Sequence, residues 1–475
     1  MDAERRLVLR FSGLDRRSGP MTWSQYAIWS VIRWEGETAY RRNLPCVWSV
    51  PPGVRVDDVL AAFEELLTAC ETLRTTFRSD GDWPRQEVHG SGEVPVVLSD
   101  AGSDAPAEHT KLLLARLLGT SFDLATDVPL RLGIVTSGGQ VVKVAAAFSH
   151  VAVDGWSVEI VRRMVDELLT KGPGALRSYA GQSEQPLERA EFERSEAGLL
   201  AARRTLRFWQ RAFDEVPSVM FAGGPESKTL AERGSVHSHR IARAVRDIVV
   251  RDKVSSPAVL AGAVSLVLSA ALGESDLALR SLVVTRFRRQ ARYSVATLNL
   301  NGLFRLKVEP GPIRAHFLRA AAASLQAVQY SQCNPDEMEG VIDSALRDRG
   351  EEFKQCVFLN DVSQPIGPVP DHETGAVAAA RGLTARGGPD HDAACCDGGS
   401  VYRRMPDGEP DRESKFLFTV ARVAPVAEVF LYLDRRFFPV GPTQILRAVE
   451  SVLTEAARDP HVDTLSLARR CLALA

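Results

Sequence analysis

The segment Ser149-His150-Val151-Ala152-Val153-Asp154-Gly155 sets an imidazole and a carboxylate four residues apart, directly ahead of a glycine. A neutral imidazole accepts a proton near pH 7. His150 can therefore act as a general base toward an alcohol, or orient an amine and stabilise the charge that forms on it. Gly155 lets the backbone approach a ligand closely and can turn its N–H toward a polarised carbonyl, and Trp156 either lines a binding channel or packs. Attack of an amine or alcohol on an activated carbonyl needs these parts: a nucleophile held near the carbonyl, a proton acceptor, and donors for the developing oxyanion. The spacing alone carries little, because His-x-x-x-Asp-Gly arises by chance in long chains. A single histidine is more often a satisfied structural residue than a catalytic one.

The elements that must position these residues are legible nearby. Val141 to Phe148 is a short, uninterrupted apolar run, which predicts a buried strand. Beyond it, Ser157 is expected to cap a helix whose Val161, Met164, Val165, Leu168 and Leu169 form one apolar stripe. His150 and Asp154 then fall in the turn between strand and helix, where chemistry is often placed on a rigid scaffold. Helical spacing recurs over Asp57 to Cys70, and Leu130 to Val135 has strand composition. Lys171 to Pro186 reads as a surface connection, followed by a charged helical stretch from Leu187 to Ala212. Phe221 to Lys228, with Gly223, Gly224 and Pro225, predicts a boundary between domains 1–222 and 223–475. Gly367 to Arg412 is poor in large apolar residues and is expected to be a long mobile loop, after which Phe416 to Val423 and Glu428 to Leu433 predict strands. Helix and strand alternate without a fixed-period repeat, which is the α/β class.

A chain of 475 residues, 45% hydrophobic and 25% charged, is long enough for two or three domains and can bury a sizeable core. Its formal net charge of -2 gives no overall pull toward nucleic acid or anionic membrane, and neither is expected as a partner. Ser256 to Leu272 is the most apolar stretch, yet it is shorter than a bilayer span requires. With Ser256 as cap, Pro257 at the first helical position and Gly273 just past the end, it predicts a buried helix. The start, Met1 to Arg6, lacks the apolar core of a signal peptide, and the seven cysteines are odd in number and scattered. A cytoplasmic setting is expected. His391, Asp392, Cys395 and Cys396 lack the usual metal-ligand spacing, and no phosphate-binding glycine loop or dinucleotide fingerprint occurs. The run Arg286, Arg288, Arg289 and Arg292 reads as a solvated face.

Several segments, in order, resemble the conserved blocks of the condensation domains of nonribosomal peptide synthetases, whose site motif reads His-His-x-x-x-Asp-Gly. Met21-Thr22-Trp23-Ser24-Gln25-Tyr26-Ala27-Ile28-Trp29 resembles the opening block, and Cys70-Glu71-Thr72-Leu73-Arg74-Thr75-Thr76-Phe77 resembles His-Glu-x-Leu-Arg-Thr-x-Phe. Phe122-Asp123-Leu124 with Pro129-Leu130-Arg131, then Phe208-Trp209, are similar to the blocks flanking the site strand and closing the first half. Leu298 to Leu306, with Asn299 and Asn301, resembles Gly-x-Phe-Val-Asn-Thr. The resemblance covers nearly the whole chain except Gly367 to Arg412. Ser149 stands where the family has its first histidine, and His150 occupies the position of the second, catalytic one. Trp23, Trp29 and Phe77 are expected in the core.

The resemblance implies two chloramphenicol-acetyltransferase-like lobes in a V, with the site in a tunnel between them. It implies that Asp154 acts structurally through an ion pair with an arginine of the second lobe, for which Arg286 is the candidate. Ser149, Gly155 and Trp156 would contact the thioester substrate. The implied function is a free-standing condensation enzyme without a permanently bound cofactor or metal. It would join an acyl group, carried on the phosphopantetheine of an acyl or peptidyl carrier protein supplied in trans, to an amine or alcohol. The arginine run would then suit an acidic carrier protein. Two alternatives share the motif: a catalytically silent module that recruits a partner enzyme to a synthetase, and an acyltransferase that uses acyl-coenzyme A.

Overall fold

The strand that leads into the histidine shows no alternation because both of its faces are covered. In this computed structural model β8 (Gln140–Phe148) sits inside a five-stranded sheet with β1 (Arg5–Phe11), β3 (Leu44–Ser49), β6 (Gly92–Asp100) and β7 (Leu130–Ser137), ordered β1-β6-β7-β8-β3. Val144, Ala146 and Phe148 face a large core shared with Leu130, Leu132 and Ile134 of β7 and with helices α2 (Val56–Ala69) and α4 (Gly155–Lys171). Ala145 and Ala147 face the opposite layer, where Leu113, Leu114 and Leu117 of α3 (Pro106–Leu118) close over the sheet. A strand buried on two sides needs apolar residues at every position. β6 and β7 run parallel, while the β1/β6, β7/β8 and β3/β8 pairs are antiparallel. A separate three-stranded sheet, β2 (Arg17–Pro20), β5 (Arg85–Val88) and β4 (Thr75–Arg78), pairs antiparallel throughout.

The structure describes residues 4–79, 81, 83–102, 105–179, 181–216, 231–347, 357–363, 399–408 and 414–475. Over these residues the chain forms two units, one from residues 4–199 with 285–299, the other from 200–284, 300–363 and 399–475. The boundary expected at Phe221 to Lys228 lies outside the described residues, as do His391, Asp392, Cys395 and Cys396. The second unit is built on a seven-stranded mixed sheet. In chain order its strands are β9 (Ala231–Ser238), β10 (Asp276–Val284), β11 (Asn299–Lys307), β12 (Val357–Asp361), β13 (Ser400–Gly408), β14 (Phe416–Arg422) and β15 (Ala427–Asp434), arranged β11-β10-β12-β14-β15-β9-β13. The α/β class with open sheets matches the sequence expectation.

Three local expectations are corrected. Asp154, not Ser157, caps α4: its carboxylate accepts from the Ser157 backbone N–H at 2.7 Å. The helix Ser256–Leu272 is capped by Ser255, one residue earlier than expected, with Gly273 in the left-handed conformation closing its end. The end of the supposed loop Gly367 to Arg412 contains β13, because Ser400 to Met405 pair in antiparallel register with Ser238 back to Arg233 of β9. That pairing is long-range and leaves little trace in composition. The remainder of the loop lies largely outside the described residues. Trp23, Trp29 and Phe77 are buried as expected. No single helix among the described residues is long and apolar enough to cross a membrane.

Candidate active site

His150 is half-buried in the turn Ser149–Asp154, between β8 and α4. The Ser149 carbonyl accepts from the N–H groups of Ala152 and Val153 at 3.0 and 3.3 Å, which folds the turn back on itself. His150 Nδ1 lies 2.8 Å from the Val153 carbonyl oxygen. A carbonyl only accepts, so Nδ1 carries the hydrogen in this bond and the neutral ring has its lone pair on Nε2. The tautomer is thus assigned by a backbone oxygen three residues away.

Distant chain segments hold that turn. Thr72, inside the Cys70–Phe77 block, donates its hydroxyl to the Ala152 carbonyl at 2.9 Å, and Thr297 donates to the His150 carbonyl. Both threonines are fully buried. Neither was singled out from the sequence. Thr72 had a signal, since it lies in one of the family-like blocks; Thr297 had none.

Asp154 is fully buried, and its charge is met from three sides. Oδ1 accepts from the Ser157 N–H at 2.7 Å and from Arg286 Nη2 at 3.1 Å, while Oδ2 accepts from the Leu298 N–H at 3.0 Å. It also sits at the N-terminus of α4, where the helix dipole favours an anion. Arg286 in turn donates to the carbonyls of Ala291, Ser294 and Ala296 and to the Ser157 hydroxyl. Burial pulls the Arg286 guanidinium below its ordinary value, and Asp154 opposes that pull. Ser157, expected only as a helix cap, uses its hydroxyl to bridge Arg286 and the Ala296 carbonyl. All these groups belong to the first unit, because residues 285–299 pack there.

The remaining candidates are dispersed around the turn. Ser149 is buried, Gly155 opens α4 and is exposed, and Trp156 is partly buried against the core. The Trp156 Nε1–H is enclosed without a hydrogen-bond partner. Of the arginine run, Arg286 faces inward and Arg288 pairs with Glu184 and covers the Phe192 ring at 4.3 Å, whereas Arg289 and Arg292 are exposed. Only the last two are the solvated face the sequence suggested. Chemically, this tautomer places the basic nitrogen of the ring at Nε2, and the turn that carries it ends at the buried Asp154–Arg286 ion pair. The Asp154 carboxylate accepts from the Ser157 and Leu298 N–H groups and from Arg286.

Comparison with known proteins gives the geometry its family. The model of the condensation domain matches residues 17–305, more than half of the chain. Chondramide synthase cmdD of Chondromyces crocatus is 23% identical over 324 residues, covering 66% of this chain and 8% of that protein. Phosphinothricin tripeptide synthetase PhsC of Streptomyces viridochromogenes is 23% identical over 305 residues, 62% of this chain and 28% of that protein. The chain therefore spans only a small part of the synthetases it matches. Among solved structures, SgcC5 of Streptomyces globisporus superposes with a TM-score of 0.66 at 15% identity, over 93% of this chain and 99% of that one. The X-domain from teicoplanin biosynthesis superposes with a TM-score of 0.65 at 17% identity, over 95% and 98%. These likenesses carry the fold, and the match over residues 17–305 carries the assignment: the chain belongs to the condensation-domain family.

Proposed function

We propose that this protein is a free-standing condensation enzyme of natural-product biosynthesis, forming an amide or ester from a carrier-tethered acyl thioester. The carrying observation is the 2.8 Å contact between His150 Nδ1 and the Val153 carbonyl, which leaves the Nε2 lone pair as proton acceptor. In this reading the acceptor amine or alcohol attacks the thioester carbon. Its proton passes to His150 Nε2, the new C–N or C–O bond forms, the C–S bond breaks, and the proton leaves with the phosphopantetheine thiol. Ser149, Gly155 and Trp156 border the thioester, and Asp154 with Arg286 positions the turn. No cofactor is held permanently. The acyl group arrives on a carrier protein in trans, in the cytoplasm.

The test is product formation by mass spectrometry on carrier-tethered acyl donors with amine and alcohol acceptors, and with coenzyme A-bound donors in parallel. A positioned base contributes about 10²- to 10⁴-fold, so His150→Ala should lose turnover in that range. Equal background from wild type and variant refutes catalysis at His150. Preferred turnover of the coenzyme A donor would make the protein a soluble-donor acyltransferase instead. One observation favours a silent recruitment module: Ser149, buried in the place of the family's first histidine. That reading requires tight binding to a synthetase partner with no His150-dependent product.

A further inference from the structure

Beside the small β2-β5-β4 sheet, four arginines and one carboxylate line a single concavity, among the described residues. In the β4/β5 register Arg78 lies directly opposite Arg85, and like charges in that position destabilise a sheet. Neither can turn inward, because Phe77 and Gln86, their sequence neighbours on the other face, are fully buried in the first unit. Arg16 and Arg17 close the same concavity, a cavity of about 430 Å³ that also includes Ser18 and Glu87. Glu87 is the one carboxylate in the lining. It pairs with Arg16 and lies 3.8 Å from Arg78, and Glu71, behind the sheet, takes Arg17 at 3.2 Å. Arg85 makes only a 3.4 Å contact to the Ser18 hydroxyl. Arg17 thus has its own carboxylate, Arg16 and Arg78 share Glu87, and Arg85 has no carboxylate partner among the described residues. At the neighbouring strand end burial holds the His89 imidazole below its ordinary value; Glu87 opposes that pull, and Arg16, Arg78 and Arg74 add to it.

We infer that this concavity, formed by Arg16, Arg17, Arg78 and Arg85 outside the His150 turn, is a binding site for a phosphate-type oxyanion. All four cations are arginines, whose planar forks match phosphate oxygens two at a time, as a lysine point charge does not. Arginine forks around one cavity, with Arg78 and Arg85 opposed across a strand pair, suit a tetrahedral dianion or diphosphate, which accepts from many directions, better than a planar carboxylate. The shared chemistry is a phosphate ester, free in solution or borne by a larger molecule. The inference stands whether or not His150 is catalytic.

The experiment is isothermal titration of the full chain at low ionic strength with inorganic phosphate, inorganic pyrophosphate and adenosine 3′,5′-bisphosphate, and with a polyglutamate peptide as a carboxylate-only probe. Pyrophosphate should bind, and Arg78→Gln and Arg85→Gln should each weaken it by about tenfold, the loss of one charge-assisted contact. Tighter binding of the bisphosphate than of pyrophosphate points to an ester as the ligand; the reverse order points to free diphosphate. Because both side chains are on the solvent face, each variant should fold, and removing the opposed charge should raise Tm in phosphate-free buffer. Failure of every phosphate probe to bind, binding unchanged in the Arg78→Gln/Arg85→Gln double variant, or equal binding of polyglutamate at matched charge overturns the site; the last outcome makes the face a dock for an acidic protein.

Discussion

At the residue scale, the geometry separates the group that could exchange a proton from the groups that shape its surroundings. His150 owes its tautomer to the Val153 carbonyl, and the carbonyls of His150 and Ala152 are anchored by Thr297 and Thr72. Asp154 and Arg286 are a buried ion pair with exposures of 1% and 5% for their side chains, so removing one charge strands the other. Breaking such a pair costs about 3–5 kcal/mol, whereas replacing both partners with apolar residues is often nearly neutral. Asp154→Ala should therefore lower the unfolding free energy by that amount, with about 1 kcal/mol of the loss due to the helix cap. Asp154→Asn should recover the cap portion, and Asp154→Leu with Arg286→Met should recover most of the remainder. Urea denaturation of the four proteins checks this. A double variant as unstable as Asp154→Ala would show that the hydrogen bonds to Leu298 and Ser157, rather than the stranded charge, dominate. The motif residues were readable because type and spacing sit in one short segment. Thr297 and the second role of Ser157 were not, since their partners lie more than a hundred residues away in the chain.

At the element scale, two helices of the second unit, α8 (Ser256–Leu272) and α9 (Ile313–Gln329), meet where Gly262 allows close approach. A Cβ at Gly262 would lie 3.0 Å from the Ala320 Cβ and 3.1 Å from Phe317, and the Gly262 carbonyl accepts from His316 Nε2 at 2.9 Å. His316 is fully buried, and burial pushes its imidazole down to about 4. Above about pH 6.5 neither the folded nor the unfolded chain protonates it. As the pH falls from there toward 4, the unfolded chain takes up a proton that the folded one does not, so stability declines by up to about 3 kcal/mol. His316→Gln keeps a donor for the Gly262 carbonyl and does not titrate. Its urea midpoint should fall less than that of wild type between pH 7 and pH 5; parallel curves would mean that other groups carry the acid sensitivity. The apolar composition of α8 announced a buried helix in the sequence, but not the glycine contact, which depends on which neighbour it meets.

At the scale of the whole molecule, the division into two units has a thermal consequence. Two cores in a chain of this size are expected to depart from a single two-state transition. Gly262→Ala, which overpacks α8 against α9 at a cost of about 1–3 kcal/mol, should lower one calorimetric transition. Asp154→Ala should lower the other. A single transition shifted equally by both variants would show the units to unfold as one. Periodicity and composition alone determined the α/β class, the site helix and strand, the burial of α8 and the His150 motif, because these depend on neighbours within a few residues. Only the tertiary structure decided that residues 285–299 pack with the first unit, that Asp154 rather than Ser157 caps α4, and that residues 400–408 form a strand. It alone set Arg78 opposite Arg85. Each of these is a pairing between segments remote in sequence, and such pairings are chosen by packing and register, which no local pattern records.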